Sequence, residues 1–170
     1  MNSQLNMQNL KSKSNIKLGL TPAEQKRRRA NKIKSSEISE YLVDDLVTLL
    51  DIPKARAMEI HALAEFQSVP SIGVKFAQDL ISLGYYSLDE LKDKDGAKLT
   101  EDLEFRTGTW IDPCVEDQCR LVVDYANNHD DRKKWWNFTE ERKRYRIENG
   151  YPANRPKKAW FELEKYQHKK

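Results

Sequence analysis

Helix starts recur along this chain, and they constrain its fold more than any other feature of the sequence. Thr21-Pro22-Ala23-Glu24 sets a capping Thr before a Pro at the first helical position and a Glu at the third. Ser87-Leu88-Asp89-Glu90 is a second capping box, Asp95 or Gly96 opens another helix, and Asp112-Pro113 repeats the N-cap and Pro pairing. Gly84 stands where a left-handed helix stop is expected, and Gly108 closes the helix begun near Asp95. No segment alternates with period two over a convincing length. The pattern predicts an all-α fold with short connections.

The apolar spacing fills in the helices. From Glu37 to Leu50, Ile38, Leu42, Leu46 and Leu49 recur at four, four and three residues, which predicts one amphipathic helix ended by Asp51-Ile52-Pro53. A second helix is expected over about 54–66, with Met58, Ile60, Leu63 and Ala64 for burial. A hairpin over 67–73 leads to a third, about 74–83, burying Phe76, Ala77, Leu80 and Ile81. Cys114 to Asn127 follows with Val115, Cys119, Val122, Val123 and Ala126 as its stripe, and Asp130-Asp131 marks its end. Thr139 is read as the cap of a basic helix ending before Gly150, and a last helix is expected from Asn154 or Arg155 through Tyr166.

Charge divides the chain in three. Residues 1–36 hold nine Lys/Arg and one acid, residues 37–125 eight and nineteen, and residues 126–170 thirteen and seven, so a −11 centre lies between ends of +8 and +6. Such asymmetry points to ends that meet a polyanion or meet the centre. Residues 1–20 are polar with isolated Leu and Ile, and are expected to be disordered. Lys26 to Lys34 has almost no apolar face, so it reads as a frayed helix or none unless an anion binds it. The expected organisation is a disordered basic arm over 1–35, a helical core over 36–128, and a basic aromatic-rich helical extension over 129–170 packed on the core.

The hairpin carries the functional argument. Pro70, Ile72, Gly73, Ala77 and Leu80 match a helix-hairpin-helix motif, in which an apolar-Pro-Gly-Ile-Gly turn leads into a helix with Ala and an apolar residue at set spacing. Ser71 replaces the first Gly, and Ser tolerates positive φ poorly, so a differently shaped hairpin is one outcome. A tight hairpin exposes the unpaired N–H groups of the following helix, which with the helix dipole suit one nucleic-acid phosphate. The Ile72, Gly73 and Val74 amides and the Lys75 side chain are the expected contacts, on a turn made by Pro70 and Ser71, with Gly73 read as letting backbone approach backbone. Lys75 lies in the first helical turn, where a cation costs about 0.3–1 kcal/mol against the dipole unless an anion is near. Ile52 to Ile60 echoes the pattern weakly and again begins with cations, Lys54 and Arg56. Pro-x-Ile-Gly between helices is also simply a good sharp turn, serving protein contact or bare architecture.

The resemblance extends beyond the hairpin. Ser87 to Leu91, Arg106-Thr107-Gly108, Asp112 to Val115 with Arg120, Tyr125-Ala126 and Lys134-Trp135-Trp136-Asn137 resemble the pathogenicity-locus family of small bacterial helix-hairpin-helix proteins, over about residues 64–140. The resemblance implies an all-helical module related to the DNA-contacting hairpins of repair and recombination proteins. With it, the fold class reads as an all-α, compact helix-hairpin-helix bundle with a basic disordered N-terminal arm and a C-terminal helical extension.

Other chemistries are weaker. A chain of 170 residues with mean hydropathy −0.85 and no apolar run near about 20 residues does not read as a membrane protein, and two cysteines do not frame a secreted scaffold or complete a zinc site. Cys114, at the second position of its helix, is a candidate for a lowered thiolate pKa, against the bland reading of two apolar fillers. His61, His129 and His168 are scattered, and no acid pair has nuclease spacing. Eight of the sixteen aromatics lie after Lys134, interleaved with cations; bases could stack on them, although anchoring the terminal helices explains most. The expectation is a cytoplasmic, non-enzymatic, sequence-nonspecific DNA-binding protein, with Lys54 and Arg56 as a second backbone contact and Arg27, Arg28 and Arg29 on an arm. The alternative is an adaptor whose acidic core meets a basic protein. No cofactor is implied; some hairpins of this motif hold a monovalent cation on their carbonyls, an option the sequence leaves open.

Overall fold

The predicted stop after Asp51 and turn after Gln67 leave one long helix between them, and the first half of the molecule is built around it. The structure is a computed structural model, and it describes residues 15–167. The chain divides into two compact units, one ending at Glu90 and the other beginning at Leu91. Composition had suggested boundaries at 35 and 128 instead. Both units are helical, and among the described residues the only β pairing is an isolated bridge between Trp110 and Ala159.

In the first unit, α1 (Pro22–Ala30) leads through a 3-10 turn (Ser35–Glu40) to α2 (Val43–Leu50), α3 (Lys54–Gln67) and α4 (Val74–Ser82). The 3-10 turn, α2 and α4 all pack against α3. Ala57, Ile60, Ala62, Leu63, Ala64 and Phe66 of α3 are consequently buried, together with Ile38, Leu46, Leu50, Phe76, Ala77 and Leu80 from its neighbours. Each large side chain among them contributes about 1.5–3 kcal/mol relative to exposure. Gly84 takes φ +90°, the left-handed stop that the sequence announced.

Two expectations for this unit are corrected. The helix expected over Glu37–Leu50 is two pieces, because Tyr41 and Leu42 are extended. Leu42, 73% exposed, leaves the apolar stripe. The paired carboxylates Asp44 and Asp45 lie in the first turn of α2, where they favour a new helix start at Val43. The disordered arm is also revised for residues 15–35; its first fourteen residues lie outside the described residues. Thr21 and Glu24 form the capping box, with Glu24 N–H to Thr21 Oγ1 at 3.2 Å and Thr21 N–H to Glu24 Oε2 at 2.9 Å. Ahead of it, residues 15–20 lie as a strap on α3. Lys17 N–H donates to Gln67 Oε1 at 3.0 Å, Gln67 Nε2 donates to Lys17 O at 2.7 Å, and Leu18 is buried. Beyond α1, Ile33 is buried as well. Polar groups of α3 order this segment, which its own apolar content could not do.

The second unit holds α5 (Gly96–Thr107), α6 (Pro113–Asn128), a 3-10 turn (Trp135–Phe138), α7 (Thr139–Asn149), a 3-10 turn (Trp160–Glu162) and α8 (Glu164–Gln167). Asp95 caps α5 by accepting from the Ala97 and Lys98 amides, and Asp112 caps α6 by accepting from Cys114 N–H at 2.8 Å. Leu99, Leu103, Cys119, Leu121, Val122, Ala126 and Phe138 are buried here. Thr139 is not a cap: it is the first residue of α7, and its hydroxyl donates to Asp117 Oδ2 at 2.8 Å. The last expected helix is largely absent. Residues 151–159 are irregular: Trp110 N–H donates to Lys158 O and Trp160 N–H to Trp110 O, both at 2.9 Å, and this pairing ties the backbone around Ala159 to Trp110 in place of helical bonds. Among the described residues no helix is long and apolar enough to cross a membrane.

Candidate nucleic-acid interface

The connection from α3 to α4 turns on four residues. Ile72 N–H donates to Val69 O at 3.2 Å, with Pro70 and Ser71 at the tip and Val69 and Ile72 buried as anchors. Ser71 takes φ +66°, so the serine adopts the left-handed conformation that the glycine of the motif would supply. That conformation costs a non-glycine residue roughly 1–2 kcal/mol. Gly73, by contrast, has φ −100° and ψ 178°, which any residue can adopt, and a Cβ built on it meets nothing within 4 Å. Neither backbone strain nor internal packing requires glycine there, so no close approach within the chain accounts for it.

The start of α4 is left uncapped. Gly73 provides no side-chain cap, and the first turn carries no acid. Thr21, Asp95 and Asp112 do cap their helices. The Ile72 amide is engaged in the turn, so the N–H groups directed out of the helix belong to Val74, Lys75 and Phe76. A cleft of about 400 Å³ opens before them, lined by Lys17, Gln67, Gly73, Val74 and Lys75 among others. Lys17 is exposed and has no side-chain partner among the described residues. Sequence reasoning missed Lys17, because nothing local to its polar stretch indicates that Gln67, fifty residues on, ties it beside the hairpin.

The remaining candidate cations separate. Arg56 is wholly engaged inside the unit: its guanidinium donates to both oxygens of Glu24 at 3.0 and 2.9 Å, to Glu59 Oε2 at 2.9 Å and to Gly19 O at 2.9 Å. It is a half-buried strut whose donors are taken up within the unit. Lys54 is exposed and 3.5 Å from Asp44. Arg27 pairs with Asp51 at 3.3 Å, and Arg28 bonds Gln25 Oε1 and Ile33 O at 3.1 and 2.6 Å. Arg29 and Lys26 are exposed on α1 without partners among the described residues.

The Glu24 carboxyl is held below the ordinary carboxylate range, first by its hydrogen bond from Arg56 and against the opposing effect of burial. Its native pKa is lower than its unfolded one, so it contributes stability above the unfolded value and loses it as pH falls through the native one. Acid unfolding of the wild type is therefore expected to be steeper below the ordinary carboxylate pKa than that of Glu24→Gln. Identical acid slopes in circular dichroism titrations would rule the pair out as a source of acid sensitivity.

The other chemistries find little support. The Cys114 thiol is pushed up, first by burial and then by its hydrogen bond to Asp112, which corrects the expectation of a lowered pKa. Asp130 pairs with Arg132, which lowers its pKa to about 2, and burial pushes Glu65 up. Among the described residues no three His, Cys, Asp or Glu side chains are grouped to hold a metal ion; His168 lies outside those residues. Three arginines of the C-terminal segment turn inward. Arg142 reaches Asp117 at 2.6 Å, Arg146 reaches Glu116 at 2.9 Å and Glu101 at 3.3 Å, and Arg155 reaches Glu104 at 2.8 Å. Glu104, Glu116 and Asp117 are buried, so these three acids of the acidic centre form internal ion pairs, while its other carboxylates stay exposed or half-buried.

A family model described as Cdd1, pathogenicity locus, matches residues 59–144, just over half of the chain, from within α3 to within α7. No curated protein and no solved structure shows a significant match.

Proposed function

The chain belongs to the pathogenicity-locus family, and from that premise we propose that it is a non-enzymatic protein that holds the DNA backbone through a helix-hairpin-helix made of α3, the Pro70-Ser71 turn and α4. The observation that carries this reading is the uncapped start of α4 opening on a cleft flanked by Lys17 and Lys75. One phosphate there would receive the Val74 and Lys75 amides, be favoured by the helix dipole, and explain a cation in the first turn. It would also explain Gly73: a side chain there would project into open space that a ligand could use. Arg29 and Lys26 would add a second backbone contact from α1. Such contacts carry no base information, so binding is blind to sequence and sensitive to salt.

The adaptor reading, in which the acidic core meets a basic partner, has less behind it. Three of its carboxylates, Glu104, Glu116 and Asp117, are buried against the chain's own arginines and are not available to such a face. Their engagement removes three of the nineteen acidic charges of that segment from its surface, and so lessens its repulsion of a phosphate to that extent.

The test is fluorescence anisotropy of the full chain with short duplexes of unrelated sequence at several salt concentrations. Lys75→Glu is expected to weaken all duplexes alike and to reduce the salt slope by about one unit. Binding unchanged in that variant removes the hairpin from the mechanism; binding by neither protein removes the DNA reading.

A further inference from the structure

We propose that the second unit carries a separate platform for single-stranded nucleic acid, formed by the rings of Phe105, Trp110 and Phe161 with the cations Arg106, Lys157 and Lys158. The rings are the first observation. Phe105 is 77% exposed on α5 and Phe161 53% exposed after the bridge. A lone exposed apolar residue is ordinary, but a connected group of exposed aromatics marks a binding surface. Phe161 belongs to a ring cluster with the half-buried Trp110 and Trp160, and Phe105 is linked to it through the hollow it shares with Arg155. Phe161 meets Trp110 edge-to-face at 5.7 Å and Trp160 at 5.7 Å. The Arg155 guanidinium lies 5.7 Å from the Trp110 ring, and Arg155 lines with Phe105, Pro152 and Pro156 a hollow of about 260 Å³.

The charges select the partner. The carboxylates beside the hollow are already matched: Glu104 with Arg155 at 2.8 Å, Glu101 with Arg146 at 3.3 Å, and Asp102 with Lys98 at 3.5 Å. Arg106, Lys157 and Lys158 are exposed and have no partner among the described residues. The backbone of Lys158 is fixed against that of Trp110 by the bridge, within reach of the rings for its long side chain. Flat rings with unpaired cations next to them in the chain suit successive unpaired bases and their phosphates. A duplex hides its base faces and would use only the cations. The platform rests on residues outside the hairpin, so it stands or falls separately from it.

The experiment titrates the full chain, by tryptophan fluorescence and by anisotropy, against a labelled oligothymidylate and a duplex of equal length. Wild type is expected to bind the single strand, with Trp110 emission quenched. Phe105→Ala and Phe161→Ala are each expected to weaken it by about fivefold or more, and Lys157→Ala with Lys158→Ala to lower the salt slope. Phe105→Ala changes only an exposed helix position, so its thermal unfolding should match wild type and a loss of binding there is not a loss of fold. Lys75→Glu should leave the single-strand affinity in place while weakening the duplex. No oligothymidylate binding by wild type, or equal binding by wild type and Phe105→Ala, overturns the proposal. Self-association abolished by Phe105→Ala without any oligothymidylate binding also overturns it, in favour of a second copy covering the rings.

Discussion

Arg142→Ala is expected to destabilise the chain by about 3–5 kcal/mol in urea unfolding, because it leaves a carboxylate buried without its counter-charge. Asp117 has no exposed surface and accepts from Arg142 Nε at 2.6 Å and from the Thr139 hydroxyl at 2.8 Å. With the guanidinium gone, one hydroxyl faces a full negative charge. The attachment of α7 depends on such pairs to an unusual degree, since that helix buries no residue of its own. Asp117→Leu combined with Arg142→Leu should be much milder than Arg142→Ala, because the pair as a whole gains little net energy over an apolar replacement while its separation costs a great deal. A cost below about 1 kcal/mol for Arg142→Ala would mean that water reaches Asp117 and that the pair behaves as a surface one.

Gly96→Ala is expected to reverse the usual sign of a glycine-to-alanine change in a helix. In an open helix the substitution stabilises by about 0.5–1 kcal/mol through backbone entropy. Here an added Cβ would lie 2.7 Å from Arg120 Cγ, 2.8 Å from its Cα and 2.9 Å from its backbone nitrogen. Two of those three atoms are backbone and cannot swing away, so α5 and α6 must separate at their closest approach. The overpacking penalty is about 1–3 kcal/mol, enough to overcome the propensity gain. The displacement would also strain the Arg120 to Glu116 bond at 2.9 Å, on which Arg146 converges at the same carboxylate. Thermal unfolding reads the effect directly, and a raised midpoint would contradict so close an approach of the two helices.

Both variants act on a feature with functional weight. The near-neutral total charge of +3 is composed of basic ends and an acidic centre, and the fold joins them instead of presenting them separately. Arg142, Arg146 and Arg155 neutralise buried acids of α5 and α6, while Arg56 of α3 neutralises Glu24 of the arm. Among the described residues the cations left over are fewer than the sequence suggests. They include Lys17, which lines the hairpin cleft, Lys26 and Arg29 on α1, Lys32, Arg144, and Arg106, Lys157 and Lys158 of the second unit.

What the sequence by itself determined is the set of features decided within a few residues. The Thr21–Glu24 box, the Asp95 and Asp112 caps, the left-handed stops at Gly84 and Gly108 and the all-helical character were legible because a cap or a stop is an interaction between neighbours in the chain. The hairpin was legible for the same reason, down to the question that Ser71 raised and answers with φ +66°. What only the tertiary structure decided is which charges meet. Arg56 with Glu24, Arg142 with Asp117 and Arg155 with Glu104 lie 32, 25 and 51 residues apart, and no periodicity announces a pair at such separations. The same holds for Lys17 beside the hairpin, for the break of the expected helix at Leu42, and for the irregular segment that replaces most of the last helix. In each case a partner distant in sequence outweighed a local preference worth only a few tenths of a kcal/mol per residue, roughly the scale of intrinsic helix propensity.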